Sequence, residues 1–428
     1  MKYLIDSSGR TEVITLPSEP MEDGNGGEAR IYVVNSLRDC VAKIYREPNK
    51  HPERRAKIET MMSLPPKHLS RSVGQRHLPL LAWPTHVVLR DDDSLAGFLM
   101  PKVPDDFVSL VQSLSRRASA NAVGARAGLS ENDRSLPSRL SGCRNLAGLV
   151  ADLHRQGHFV VDMKPQNIRV QRQNMIVCML DCDGFSIAAG NGKSYKANAV
   201  TREYLAPEHQ SPPEKQAALQ TVIRITDDTQ DRFALAVLIF QWLNNGIHPF
   251  QGSPMHDRES QTLPDNIRDG LYPYGVGGHP EILPKPNSVH DCLSEPLRKM
   301  FDRAFAATMP GDRPTAVEWR DCLDGLKTSK ALQPCAVKPD HVLHIHFAGQ
   351  DCPECRYDEL NAAKGGRPAT QTASETVSSL RASEATAPSV GPKRRRVLVV
   401  ALLIAAALAA IAWQQGWLTQ FLPLGALG

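Results

Sequence analysis

Residues 162–185 constrain this chain more than any other stretch. They read Asp162-Met163-Lys164-Pro165-Gln166-Asn167, then an apolar run from Met175 to Leu180, then Asp181-Cys182-Asp183-Gly184-Phe185. Just upstream, Leu146 to Arg155 has helical periodicity, with Leu146, Leu149, Val150 and Leu153 on one face. On a loop after that helix, Asp162 and Asn167 can converge on one point. There an Asp accepts a hydroxyl proton, an Asn holds a metal ion and a Lys offsets phosphate charge. The apolar run reads as a strand that delivers a second carboxylate near the Asn. Mg²⁺ prefers hard oxygen ligands, so this is the set that a Mg²⁺ bridging nucleotide phosphates requires. The pattern is one for phosphoryl transfer, in which catalysis is mostly positioning and charge neutralisation.

Further motifs stand in order around this one. Upstream are Gly24-Asn25-Gly26-Gly27-Glu28-Ala29 and Val41-Ala42-Lys43-Ile44; strands are expected at 29–34 and 39–45. Downstream are Thr201-Arg202-Glu203-Tyr204-Leu205-Ala206-Pro207-Glu208, the buried-helix pattern beginning Asp231-Arg232-Phe233, Gly246-Ile247-His248-Pro249-Phe250, and Asp312-Arg313-Pro314-Thr315-Ala316. Over about Thr15 to Leu326 the chain resembles the bacterial eukaryotic-like (Hanks-type) serine/threonine protein kinases. The resemblance implies an α+β, two-lobed protein-kinase-like fold, with a small β-rich N-lobe over about 1–102 and a helical C-lobe over about 103–330. It also implies ATP and Mg²⁺ as cofactors and proteins as substrates.

By the same resemblance Asp162 orients or deprotonates the acceptor hydroxyl, and Lys164 and Lys43 hold phosphates. Asn167 and Asp181 hold Mg²⁺. Asp183 is the alternative metal ligand, because the family's D-F-G is here Asp181-Cys182-Asp183 with Gly184 displaced by one. Gly24, Gly26 and Gly27 would let backbone N–H groups approach phosphates, and read equally as a simple hairpin turn. Met100 would lie against the adenine at the hinge. Glu59, on the helical stretch Arg54 to Met62, would pair with Lys43, with Glu53 as the alternative. Glu208, Asp231 and Arg313 would be structural, Arg313 pairing with Glu208. In place of the family's H-R-D stands Val160-Val161-Asp162, which leaves a phosphorylated activation segment without a cation to order it. A catalytically silent scaffold on the same fold is the rival reading.

Two features follow the kinase-like region. Cys335, His341, Cys352 and Cys355 supply four N/S ligands of the kind Zn²⁺ takes tetrahedrally, with His344 or His346 as substitutes for His341. The group resembles a zinc-ribbon-like tail found in a subset of bacterial kinase-like proteins and defines an expected module over 331–358. A flexible linker with a basic end is expected over 359–396, rich in Ala, Ser, Thr and Gly and closed by Lys393-Arg394-Arg395-Arg396. Val397 to Trp413 is uniformly apolar, and such a helix would span about 26 Å of a bilayer core of about 30 Å. The expectation is one transmembrane helix over 397–413 and a short extracytoplasmic tail over 414–428. The basic flank puts the catalytic domain on the cytoplasmic side of the inner membrane.

Composition bounds the remainder. A hydrophobic fraction of 41% excludes a wholly disordered or fibrous chain, and 50 Lys+Arg against 46 Asp+Glu makes no case for nucleic acid. Nine cysteines, an odd number in a long chain, read as buried thiols in a reducing compartment. Ser115 to Ser141 reads as a loop insertion, and dimerisation is left open.

Overall fold

The computed structural model describes residues 1–363 other than 8–9, 23, 25, 115–128, 191, 211–224, 256–260 and 329. All of these lie in one compact unit, Met1–Thr376; a second unit, Val377–Gly428, lies outside the described residues.

The first part of the chain builds a six-stranded antiparallel sheet. Its strands are β1 (Lys2–Ser7), β2 (Arg10–Thr15), β3 (Ala29–Val33), β4 (Cys40–Tyr45), β7 (His86–Leu89) and β8 (Leu95–Pro101). They lie side by side in the order β2-β1-β7-β8-β4-β3. Between β4 and β7 come helix α1 (Arg54–Ser63) and a hairpin of β5 (Ser70–Val73) and β6 (Arg76–Pro79). Strand alternation sorts the core. Ala42 and Ile44 face one apolar cluster with Ile5, Ile14 and Leu99. Val41 and Tyr45 face another with Ile58 of α1, Phe98 and Met100. Lys43 shares the face of Val41 and Tyr45, so β4 aims an ammonium into the side of the sheet that α1 covers. Gly97 of β8 lies against it: a Cβ there would sit 1.9 Å from the Lys43 carbonyl oxygen.

The second part is helical. After β9 (Phe107–Ser109) and α2 (Leu110–Leu114) come α3 (Glu131–Arg134) and α4 (Leu136–Arg155), then β10 (Ile168–Gln171) and β11 (Val177–Met179), which form a sheet with β9. Helices α5 (Thr229–Leu243), α6 (Leu263–Arg268), α7 (Glu295–Phe305) and α8 (Ala316–Thr328) follow. Helix α5 is the buried axis; its Phe240 meets Tyr274, His290, Phe301 and Phe305. Gly142 of α4 packs where a Cβ would lie 2.4 Å from the Trp242 ring. A last hairpin, Leu332–Pro334 with Ile345–Phe347, leads to α9 (Pro353–Ala363).

Three sequence expectations are corrected. Ser115 to Ser141 is not a loop throughout: 115–128 lie outside the described residues, but Ser130 and Ser135 are the N-caps of α3 and α4. Serines that read as loop there terminate helices, because their side-chain oxygens accept the first free N–H groups. The expected linker starts too early, since α9 continues to Ala363. The membrane anchor, and the inner-membrane placement built on it, are set aside. Among the described residues no helix is long and apolar enough to cross a membrane, and the expected span 397–413 lies outside them. The longest described helix, α4 with 20 residues, carries Arg139, Arg144, Asp152 and Arg155. The apolar α5 has 15 residues, about 22 Å, short of a bilayer core of about 30 Å.

His290 stacks on Phe240 at 5.3 Å, and neither ring nitrogen has a hydrogen-bond partner among the described residues. Burial, aided by the charge of Arg298, lowers its pKa to about 4. The unfolded chain takes up this proton near pH 6.5, so stability should fall as pH drops from about 6.5 towards 4. His290→Phe should be at least as stable at neutral pH and show a shallower acid slope, measured by urea unfolding at a series of pH values.

Candidate active site

The site lies where β4 faces the segment that follows β11. Lys43 Nζ donates to Asp183 Oδ1 at 2.6 Å and to Asp181 Oδ1 at 3.0 Å. Tyr45, two residues along β4, donates its hydroxyl to Asp183 Oδ2 at 2.8 Å. Lys43 and Asp183 are buried, whereas the Asp181 carboxylate is 56% exposed. Asp181 has φ 53°, a left-handed conformation that Asp adopts more readily than most residues. That turn separates the two carboxylates: Asp183 points into the interior and Asp181 towards solvent. Burial alone would lower the Lys43 pKa, but the charges of Asp183 and Asp181 outweigh it and raise the group above its ordinary value. Burial would likewise raise Asp183, and Lys43 reverses that.

Glu59 is not the partner of Lys43. It is exposed and pairs with Arg55 one turn earlier at 2.9 Å. The alternative, Glu53, is the N-cap residue of α1. The inner face of α1 carries Arg54, Lys57, Ile58 and Met61, so helix periodicity turns Glu59 outward. Lys57 donates to the Lys196 carbonyl oxygen at 2.9 Å, and burial lowers its pKa to about 8 despite the nearby charge of Asp183. A base thus stands on α1 where an acid was expected, and the acid stands at Asp183.

The loop 160–167 completes the site. Asp162 Oδ2 pairs with Lys164 Nζ at 2.9 Å, while Asp162 Oδ1 is buried with no partner among the described residues. Lys164 also donates to Thr201 Oγ1 at 3.0 Å, a contact sequence reasoning missed. Asn167 donates its amide to the Asp162 carbonyl at 3.2 Å, which leaves its own side-chain oxygen for a cation. The Leu180 N–H donates to the Asn167 carbonyl at 2.8 Å. An unbroken path of contacts therefore runs from Asp162 through Asn167 and Leu180 to Asp181 and Lys43.

The glycine cluster is only partly a phosphate loop in form. Gly24 N–H donates to Met21 O and Gly24 O accepts from Ile31 N–H, both at 2.8 Å, closing a turn on β3. A Cβ at Gly24 would lie 2.9 Å from Ile31, whereas one at Gly27 would meet nothing within 4 Å. Gly26 O accepts from Arg46 Nε at 3.0 Å. Met100 is buried near the end of β8, opposite Val41.

Buried groups hold the loop 160–167 and the segment 204–208. Asp231 of α5, wholly buried, accepts from the N–H groups of Val160 at 2.7 Å and Val161 at 2.8 Å, and His154 Nε2 lies 2.9 Å away. Val161 has φ 64°, a strained conformation for a β-branched residue. Gln230, also missed from sequence, donates to the Tyr204 carbonyl and accepts from the Ala206 N–H, both at 2.9 Å. Arg313 donates to both oxygens of Glu208, at 2.6 and 2.7 Å. The charge of Arg313 overcomes the burial that would raise Glu208 and holds it below the usual carboxylate range.

A second cluster lies far along the chain. Cys335, His344, Cys352 and Cys355 present their ligand atoms within 4.8 Å of one another. The histidine is His344, not His341, whose Nδ1 instead accepts from the Leu343 N–H at 3.3 Å and caps a short turn.

The site thus brings together a paired lysine, an aspartate with a free buried oxygen, and an Asn–Asp pair beside a strand end. Two curated relatives, each named protein kinase YegI, come from Escherichia coli (strain K12) and Escherichia coli O157:H7. Each is 30% identical over 342 residues, which is 79% of this chain and 48% of the relative. The chain thus spans about half the length of the curated relatives it matches. No family model matches. The similarity supports a relationship to the bacterial protein kinases. The free oxygen of Asp162, the exposed Asp181 and the oriented Asn167 are hard oxygen donors of the kind a divalent cation takes.

Asp231→Ala would strand two buried N–H groups beside a strained Val161. We expect a loss of about 3 kcal/mol in urea unfolding. Asp231→Asn, which keeps one acceptor, should lose less.

Proposed function

We propose that the chain is an ATP-dependent protein serine/threonine kinase. The observation that carries the reading is the continuous path from Asp162 through Asn167 to Asp181 and Lys43. In this reading a Ser or Thr hydroxyl of a protein substrate reaches the free Oδ1 of Asp162, which orients it and accepts its proton. Lys164, already paired with Asp162, stands beside the transferred group and offsets its charge. Lys43 holds the nucleotide phosphates. Asn167 and Asp181 would hold Mg²⁺, which when bound neutralises phosphate charge.

Asp183 is assigned to Lys43 rather than to the metal, because its two oxygens already accept from Lys43 and Tyr45. This replaces the ion pair between a strand lysine and a helix glutamate that protein kinases ordinarily use. In this protein the carboxylate that positions the lysine belongs to the segment after β11, and α1 is tied to the chain at Lys196 instead.

Wild-type protein with Mg²⁺ and ATP should phosphorylate itself or a general protein substrate on Ser or Thr. Asp162→Asn should reduce this at least about 100-fold without changing the melting temperature. Transfer by the wild type no greater than by Asp162→Asn would sink the kinase reading and leave a nucleotide-binding scaffold, detected by thermal stabilisation with ATP.

The lysine assignment has its own test. Asp183→Ala should lower kcat/KM for ATP about tenfold or more, and adding Lys57→Glu, which returns an acid to α1, should recover part of the loss. Equal activity of wild type and Asp183→Ala would overturn the assignment.

A further inference from the structure

We infer that Cys335, His344, Cys352 and Cys355 hold one Zn²⁺, and that this metal fastens residues 331–363 onto the helical lobe. None of the four takes part in the reaction proposed above.

The geometry is that of a tetrahedral centre. Cys335 Sγ and Cys355 Sγ are 3.4 Å apart, and His344 Nδ1 lies 3.6 Å from both Cys352 Sγ and Cys355 Sγ. A tetrahedral Zn²⁺ with its usual bond lengths sets its ligand atoms about 3.5–3.8 Å apart. A disulfide would require a separation of about 2.05 Å, and all nine cysteines are free. Cys335, His344 and Cys352 are buried and Cys355 is half-buried, so solvent has little access to the centre.

Each ligand is delivered by a separate local device. Cys335 follows the last hairpin's first strand, and its N–H donates to the His344 carbonyl at 2.8 Å, which sets the two ligands opposite each other. The Val337 N–H donates to Cys335 Sγ at 3.4 Å, a bond that favours the thiolate. Cys352 immediately precedes α9 and Cys355 is in its first turn, so their three-residue spacing puts both sulfurs on one side.

The metal would supply what the segment lacks. Two three-residue strands, a turn and one helix form a piece below the ~40 residues at which chains usually need a metal or disulfide to fold. Their remaining support is the lobe itself. Phe347 is buried, the turn Val342–His344 packs on α3, and Ile345–Phe347 packs on α4. The two residues after Cys355 make the docking contacts: Arg356 pairs with Asp291, and the Tyr357 hydroxyl donates to the Asn287 carbonyl at 2.7 Å. Fixing Cys355 on the metal therefore fixes the helix turn that grips the lobe. Helix α4 leads to His154 and the Asp231 hub, so the fastened segment braces the helix that ends at the catalytic loop.

The test uses the full-length protein and is independent of phosphoryl transfer. Elemental analysis should find about one zinc per chain in the wild type and in His341→Ala. It should find less than about a tenth as much in Cys352→Ser/Cys355→Ser. Reloading metal-free protein with Co²⁺ should produce the intense visible bands of a tetrahedral thiolate centre. Removing the metal should lower the melting temperature by about 5 °C or more and open 331–363 to protease. Arg356→Ala should keep its zinc while that segment becomes easier to cleave. Wild type that carries no zinc, or zinc lost in His341→Ala but kept in His344→Ala, would overturn the site. Unchanged protease resistance of 331–363 after zinc removal would overturn the fastening role.

Discussion

Taking the Lys43 ammonium out of water costs several kcal/mol unless anionic partners replace its lost hydration. Asp183 and Asp181 do so from across the cleft, and Tyr45 satisfies the second oxygen of Asp183. Much of the surrounding architecture follows from this pairing. Strand β4 must sit inside the sheet, between β8 and β3, with both faces covered, so that a lysine on it is buried, and Gly97 must lack a side chain for β8 to approach. The segment after β11 must turn sharply at Asp181 so that one carboxylate enters the interior while its neighbour stays in solvent. The sheet and the segment after β11 are thereby joined by charge as well as by apolar contact.

A second constraint acts on the other side of the site. The loop 160–167 holds Val161 in a conformation that its branched side chain resists, and the buried Asp231 carboxylate secures the backbone there through two N–H groups. Because α5 carries both Asp231 and Gln230, one helix fixes the loop bearing Asp162 and the segment bearing Tyr204 and Ala206. Arg313 clamps the same segment through Glu208. Asp231 and Gln230 are each engaged by several elements at once, which is how a fold imposes a unique geometry on a loop.

Much of this was legible in the chain itself. The strand carrying Lys43, the loop 162–167, the strand leading to Asp181, and α5 with its apolar run from Phe233 to Phe240 all have local signatures of period, punctuation and residue type. The pairing of Lys43 was not legible. A carboxylate on α1 was the natural expectation, yet Glu59 faces outward, because which side of a ten-residue helix meets the sheet depends on packing by Ile58 and Met61. The serines before α4 read as loop for a similar reason, since a capping serine differs from a loop serine only in the N–H groups its oxygen meets in space. The contacts of Thr201 and Gln230 carry no sequence signal; their partners lie 37 and 24 or more residues away.

The sequence by itself determined the chemical inventory and the order of the elements, because hydrophobic period, turn residues and spaced acids act over short separations along the chain. Only the tertiary structure decided which groups pair. Asp183 rather than a helix glutamate holds Lys43, and His344 rather than His341 joins the cysteines. Both outcomes turn on where a buried charge or a bundle of thiols finds partners within about 3–4 Å, and contact at that range is set by three-dimensional packing, not by distance along the chain.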